Sequence, residues 1–425
     1  MKTRAVRLYG KKDLRLEEFE LPQINENEIL AKVVCDSLCM SSYKAACQGA
    51  DHKRVPDDCA VNPPIIGHEF AGELIGIGSK WKDKFTSGDK FSIQPAINYP
   101  GSRAGVLGAP GYSYSYIGGD ATYVIIPDEV MEADCLLPYC GEGFYPASLA
   151  EPLSCVIGAI HANYHTVPGS YIHKMEIVDK GNMALLAGVG PMGLAAINYV
   201  LHRDDRKPSL LVVTDIDQTR LDRAAGLYTV AYAASRGIDL QYVNTSKFTN
   251  AIEKLKVISG GKGYNDIFVF APVATIIEQA DALLSFDGCL NFFAGPSDPD
   301  FKATLNFYNV HYAYNHIVGT SGGNTDDMKE ALALMSAGLD PAGLVTHIGG
   351  INAVIDATLH LPEIPGGKKL IYNHIEMSLT PIAEFAQKGK TNQVFNQLAE
   401  ICDKYKGLWS AEAESYLLAN SDKLE

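Results

Sequence analysis

The sequence predicts an α/β chain with a mostly-β part, a doubly wound parallel-sheet part and a helical tail. Three observations predict it. The first ~150 residues carry period-2 apolar runs broken by Gly and Pro. From about Ala147, short apolar runs alternate with helical stretches, the pattern of a parallel sheet covered on both faces. The apolar run 183–187 leads directly into Gly188-Val189-Gly190-Pro191-Met192-Gly193, a glycine turn between strand and helix. The domains read as 1–155, 156–335 and 336–425, the last returning to the first domain before the tail.

The β runs of the first part are 29–35, 73–78, 89–94 and 121–127, with a Gly/Tyr-rich loop over 101–119. In the second part the strand candidates are 183–187, 210–214, 267–271, 289–294 and 317–320, and 163–182 reads as a loop-like insertion. In the tail, Thr380-Pro381 reads as an N-cap followed by proline at the first helical position. Val394, Leu398, Ile401 and Tyr405 then recur at helical spacing, as one apolar face packed on the body.

At 425 residues the chain can bury more than one core. A net charge of -14 argues against a nucleic-acid binder, which needs a basic footprint. No membrane partner is expected. The uncharged run 184–201 contains Gly188, Gly190, Pro191, Gly193 and Asn198, which break a span. The charged start has no apolar signal core. Nine scattered cysteines fit free thiols in a reducing cytoplasm.

Cys39, the pair His68-Glu69 and Glu151 precede the glycine turn in that order. A thiolate and an imidazole select zinc, which also accepts carboxylate. Cys39, His68 and Glu69 would supply three ligands and leave the open position a catalytic zinc needs. Glu151 would stand beside them, as an exchanging ligand or as partner of the bound water. His161 and His165, four apart, are a rival pair that would share a face if helical, but no third ligand accompanies them.

Gly188, Gly190, Pro191, Met192 and Gly193 form the turn that brings backbone close to a pyrophosphate at a helix N-terminus. Asp215 lies 22 positions after Gly193, at the end of the next strand candidate. An acid there hydrogen-bonds a ribose 2′-hydroxyl and repels a 2′-phosphate, so NAD(H) is favoured over NADP(H). Arg220 is close enough in sequence to soften that preference.

With these residues in place, the chain resembles the zinc-dependent medium-chain dehydrogenases to about Tyr372, and within them the polyol-dehydrogenase branch. The shared segments are Cys39-Met40-Ser41-Ser42, Gly67-His68-Glu69, Glu151-Pro152-Leu153, the glycine turn and Thr214-Asp215-Ile216-Asp217. The resemblance implies a GroES-like catalytic domain joined to a Rossmann cofactor domain, and a homodimer or homotetramer. It implies hydride transfer between NAD(H) and a small-molecule sugar phosphate, a ketose phosphate giving a polyol phosphate. Other polyol-phosphate or polyol substrates, and a non-catalytic nucleotide-binding relative, are the alternatives.

Ser41 takes the family's relay-hydroxyl position, and Lys44 stands where relatives often carry a histidine, to extend the relay or hold a phosphate. Lys44, His52, Lys53 and Arg54 are the densest cations near the metal residues and the candidate phosphate site. Lys369 lies where the family's chain re-enters near the cofactor pyrophosphate. Two departures stand out. Relatives often hold a second, structural zinc on four cysteines after the segment that here reads Gly88-Asp89-Lys90. The 101–119 loop carries no such cysteines, so one catalytic zinc is expected and aromatic packing would hold that lobe. Ser42 replaces the usual aspartate beside the zinc cysteine, which unsettles the hydrogen bonding that orients the ligands. Tyr112, Tyr114 and Tyr116 read as packing residues, with lining of the substrate mouth as the alternative.

Overall fold

The computed structural model describes residues 1–424 of the chain. They form two compact units, one of residues 1–151 with 331–424 and one of residues 152–330.

The first unit opens with a hairpin of Lys2–Gly10 and Asp13–Glu20. Its main sheet is mixed. The strand Ile29–Ser37 pairs antiparallel with Phe70–Ile77, with Tyr123–Ile126 and with Lys368–Tyr372. That last strand returns from the far end of the chain and runs parallel to Val345–Gly350. The return places residues near 368 against Ser37 and Asp36, only two or three positions before Cys39. Apolar alternation sets the register: Ile29, Ala31 and Val33 face one buried cluster together with Phe70, Leu74, Val124 and Ile126.

The tail belongs to this unit. Helices Gln393–Lys404 and Ala411–Asn420 and the link between them bury Leu398, Ile401, Trp409 and Leu417 in one cluster with Cys35, Tyr145, Leu149 and Tyr372. Trp409 donates to the Tyr372 hydroxyl at 2.8 Å. Glu414 is buried and accepts from Phe144 N, from Tyr145 N at 2.9 Å and from the Tyr372 hydroxyl at 2.8 Å. Burial pushes its carboxyl up to about 6 against the pull of these donors. The tail helix begins differently from the sequence reading. Thr380–Pro381 is a short strand paired with Val345–Gly350. The long helix is capped by Asn392, whose side chain accepts from Val394 N and Phe395 N. Tyr405 falls at its C-cap.

The second unit is a six-stranded parallel sheet. Its order is Asp239–Asn244, Leu210–Asp215, Asn182–Leu186, Tyr264–Val269, Leu284–Phe292, His316–Val318. In chain order this is 3-2-1-4-5-6, a doubly wound sheet whose order reverses between Asn182–Leu186 and Tyr264–Val269, where such sheets bind ligands. Two elements depart from the sequence reading. The edge strand Asp239–Asn244 (DLQYVN) was not among the strand candidates, because its half-exposed polar residues interrupt any apolar run. The insertion is a hairpin of Tyr164–Thr166 and His173–Met175, too short to show a period.

Candidate active site

Cys39 is the N-cap of the helix Met40–Gln48, directly after the strand Ile29–Ser37. His68 and Glu69 lead into Phe70–Ile77, the neighbouring strand. Glu151 is in the first turn of Ala150–Ala162. The sheet pairing therefore brings the first three together: one ligand atom from each of Cys39, His68 and Glu69 lies within 4.8 Å of the others. His68 and Glu69 are buried.

Each ligand is held from behind. The Ser42 hydroxyl is 3.1 Å from His68 Nδ1, so Nε2 is the nitrogen that could ligate a metal. Serine thus supplies the contact that the missing aspartate had put in question. The Ser37 hydroxyl donates to Glu69. Lys368, on the returning strand, places its ammonium 2.5 Å from both Glu69 carboxylate oxygens. Ser41 Oγ is 3.3 Å from Cys39 Sγ.

Burial governs the protonation of these groups. It raises the Cys39 thiol to about 12, with the Glu69 charge adding to it, so the thiolate forms with the arrival of a cation. It lowers His68 to about 4, so the ring is neutral and able to ligate at neutral pH. Burial also opposes ionisation of Glu69, but the Lys368 and His68 charges and the hydrogen bonds from Lys368 and Ser37 together outweigh it and hold the carboxyl below its usual range. Glu151 is near enough to raise the Cys39 thiol further. A thiol, a neutral imidazole and carboxylates converge here, which is a donor set that fits zinc.

The Gly/Tyr loop closes one side. Tyr114 donates to Glu129 at 2.5 Å and shares Ser102, anchoring the lobe. Tyr112 packs in a buried cluster, as read, and also turns its hydroxyl inward, 3.2 Å from His68 Nε2. Its ring is stacked on His52 at 5.7 Å. His52 is lowered to about 4 by burial first and by Lys53, Arg54 and Lys44 after it. At neutral pH it carries no charge, so the cationic group reduces to Lys44, Lys53 and Arg54. Arg54 donates to the Leu107 carbonyl at 2.7 Å, and its charge is felt at His68.

In the second unit the strand Asn182–Leu186 ends at Ala187, whose φ of 52° is rare for a residue with a side chain. Gly188 N donates to Thr214 O at 2.9 Å, fixing the turn to the next strand. Pro191 and Met192 open the helix Pro191–His202. A Cβ at Gly193 would lie 2.2 Å from Gly188 O, so helix and turn meet only through glycine. A Cβ at Gly190 would meet nothing within 4 Å, leaving open space over the helix N-terminus. That space, with the free backbone N–H groups of the first turn, fits a pyrophosphate. Asp215 ends its strand and accepts from Ile216 N and Asp217 N. Arg220 is exposed on the following helix, which Asp217 caps.

Other sequence-predicted residues have partners of their own. His161 follows its helix nearly to the end and binds Asp327 at 2.8 Å, while His165 lies in the hairpin and binds Asp266 at 3.1 Å. The helix stops at Ala162, so the two rings do not share a face. The Lys369 ammonium donates to the carbonyls of Ile364 at 3.1 Å and Gly367 at 2.8 Å. The lysine that enters the metal residues is its neighbour, because adjacent residues on a strand point to opposite faces.

Residues 191–337 match the family described as zinc-binding dehydrogenase. Over its whole length the chain is similar to three curated sequences. It is 51% identical to the protein YggP of Escherichia coli K12, over 99% of this chain and 97% of the other. It is 50% identical to the L-sorbose 1-phosphate reductase of Klebsiella pneumoniae, over 99% and 98%. It is 48% identical to the mannitol-1-phosphate 5-dehydrogenase of Aliivibrio fischeri, over 98% and 97%. Among solved structures it shares its fold with a zinc-binding dehydrogenase of Sinorhizobium meliloti bound to NADP, with a TM-score of 0.68, 16% identity and coverage of 88% and 99%. An alcohol dehydrogenase of E. coli CFT073 complexed with NADH has a TM-score of 0.66, 18% identity and coverage of 87% and 99%.

Proposed function

The chain belongs to the zinc-binding dehydrogenases, zinc- and nicotinamide-dependent oxidoreductases of the CH–OH group, and we propose that it interconverts L-sorbose 1-phosphate and D-glucitol 6-phosphate. The observation that carries the choice is the short path from cations to metal residues. Lys53 and Arg54 follow His52, whose ring stacks on Tyr112, whose hydroxyl contacts His68. In L-sorbose 1-phosphate the phosphate ester is on the carbon next to the reacting carbonyl. In D-fructose 6-phosphate it is four carbons away. A basic loop one ring away from a metal ligand suits the first geometry.

Zinc, when bound, polarises the substrate carbonyl as a Lewis acid, and the nicotinamide supplies the hydride. The protein's own residues do the rest. Cys39, His68 and Glu69 would hold the metal, with Glu151 beside them. Ser42 fixes the His68 tautomer so that Nε2 ligates. Lys368 keeps Glu69 ionised. Ser41 passes the proton to the developing alcohol, and Lys44, on the same helix, extends the relay or holds the phosphate. Lys53 and Arg54 hold the ester, arginine with a two-pronged contact and lysine as a point charge.

NAD(H) is the favoured cofactor, because the Asp215 carboxylate at the strand end repels a 2′-phosphate. One zinc per chain is expected, since no cysteine quartet occupies the 101–119 lobe. The chain is read as cytoplasmic on its nine free cysteines, and none of its described helices is long and apolar enough to cross a membrane. It is read as a homodimer or homotetramer through the second unit. The edge strand His316–Val318 is unpaired on one side, and Phe286, Phe307, Tyr308, Tyr312 and Tyr314 around it are exposed.

The test is NADH oxidation with L-sorbose 1-phosphate, D-fructose 6-phosphate, D-tagatose 6-phosphate and L-sorbose. Preferred turnover of the first supports the reading. Preferred turnover of D-fructose 6-phosphate moves the substrate to the D-mannitol 1-phosphate pair and overturns the basic-loop argument.

A further inference from the structure

Tyr112 has no part in the relay assigned above, yet its hydroxyl lies among the metal residues. It is 3.2 Å from His68 Nε2, shares a hydrogen bond with Ser41, and is close enough to feel the charges of Cys39 and Glu151. The ring has no freedom to leave. It is packed between His68 at 4.8 Å and His52 at 5.7 Å, and the residue is 6% exposed. Its backbone is fixed as well. Gly111 holds a φ of 80°, and a Cβ there would lie 2.0 Å from the Gly67 carbonyl, so the chain beside Tyr112 is pressed onto the residue before His68.

Two demands then conflict at one nitrogen. Ser42 holds Nδ1, so the Nε2 lone pair is the one available to a metal. That lone pair cannot ligate a cation and accept from Tyr112 at once. A buried O–H that loses its acceptor must find another.

Resting on the ketose-phosphate reading, we propose that Tyr112 is a substrate-binding residue: once His68 Nε2 ligates, the Tyr112 hydroxyl donates its hydrogen bond to the substrate's reacting oxygen. Tyrosine at 112 thereby joins the metal residues to the basic loop, since the same ring carries His52 and, beyond it, Lys53 and Arg54. The contact strengthens as negative charge grows on that oxygen during reduction, so it serves the transition state more than the ground state.

The test is Tyr112→Phe, which keeps the ring and both stacks. The expected result is a zinc affinity by chelator competition equal to wild type, with kcat/KM lowered roughly tenfold to a hundredfold. The loss should be larger in kcat than in 1/KM. Unchanged kcat/KM overturns the proposal. So does a zinc affinity that falls in step with activity, which would make Tyr112 a prop for His68. A second measurement reads the hydroxyl directly. With 3-fluorotyrosine in the full-length protein, and the position 112 signal assigned by its loss in Tyr112→Phe or by the shift that His52→Gln gives it, zinc alone should move the fluorine resonance. Whichever sugar phosphate the wild-type enzyme turns over should move it again. If zinc leaves the resonance unmoved, the proposal fails whatever the substrate. If no sugar phosphate is turned over, the substrate reading fails, and the zinc-induced shift still decides whether the hydroxyl leaves His68.

Discussion

The Lys368 ammonium sits 2.5 Å from both carboxylate oxygens of Glu69, and both side chains are buried. The pair holds a carboxylate of the proposed metal set ionised where burial alone would protonate it. Removing the cation leaves the carboxylate uncompensated, a change of about 3–5 kcal/mol. Lys368→Met should therefore lower the Tm of chelated protein by several degrees. An unchanged Tm would show that the pair contributes nothing to folding.

The relay role of Ser41 predicts a loss confined to proton transfer. Ser41→Ala should lower kcat about a hundredfold at neutral pH with zinc content unchanged. Full turnover at neutral pH would remove Ser41 from the relay.

The two glycines of the cofactor turn should fail in different ways. Gly193→Ala puts a Cβ 2.2 Å from Gly188 O and should destabilise the fold. Gly190→Val enters open space and should leave Tm within a degree or two while abolishing NADH binding, because the side chain fills the pyrophosphate space. NADH titration by fluorescence, beside a thermal melt, separates the two. Equal Tm losses would contradict the assignment of that space to the cofactor.

Glu414 gives the tail a pH dependence. Its carboxyl titrates near 6 in the fold against an ordinary 4.5. A raised acid favours the protonated fold, so its contribution is complete below about 4.5 and is lost as pH rises through 6. The difference is about 2 kcal/mol. Glu414→Gln, uncharged throughout, should abolish this part of the pH dependence, so the stability of wild type relative to the variant should fall between pH 4.5 and 7. Parallel pH curves for the two proteins would refute it.

The grouping of Cys39, His68 and Glu69 and the strand-turn-helix at the glycines were legible because each rests on local signals. Cys39 caps the helix after one strand, His68-Glu69 leads into the neighbouring strand, and the glycines sit between an apolar strand and a helix. Lys368 was not legible: it reaches Glu69 across 299 positions, through a strand that the sequence leaves irregular, and it stands beside an equally plausible Lys369. Tyr112 lay among three tyrosines in one loop, with no pattern to separate the one that turns inward. The edge strand Asp239–Asn244 and the strand Thr380–Pro381 are held by their sheet partners, which a local pattern does not reveal.

The most direct test of the account is a zinc titration of chelated protein, followed by NADH oxidation with L-sorbose 1-phosphate. The account predicts no turnover without metal, a linear rise to one zinc per chain, and no recovery in Cys39→Ala. Full turnover in metal-free protein, or in Cys39→Ala, would contradict it.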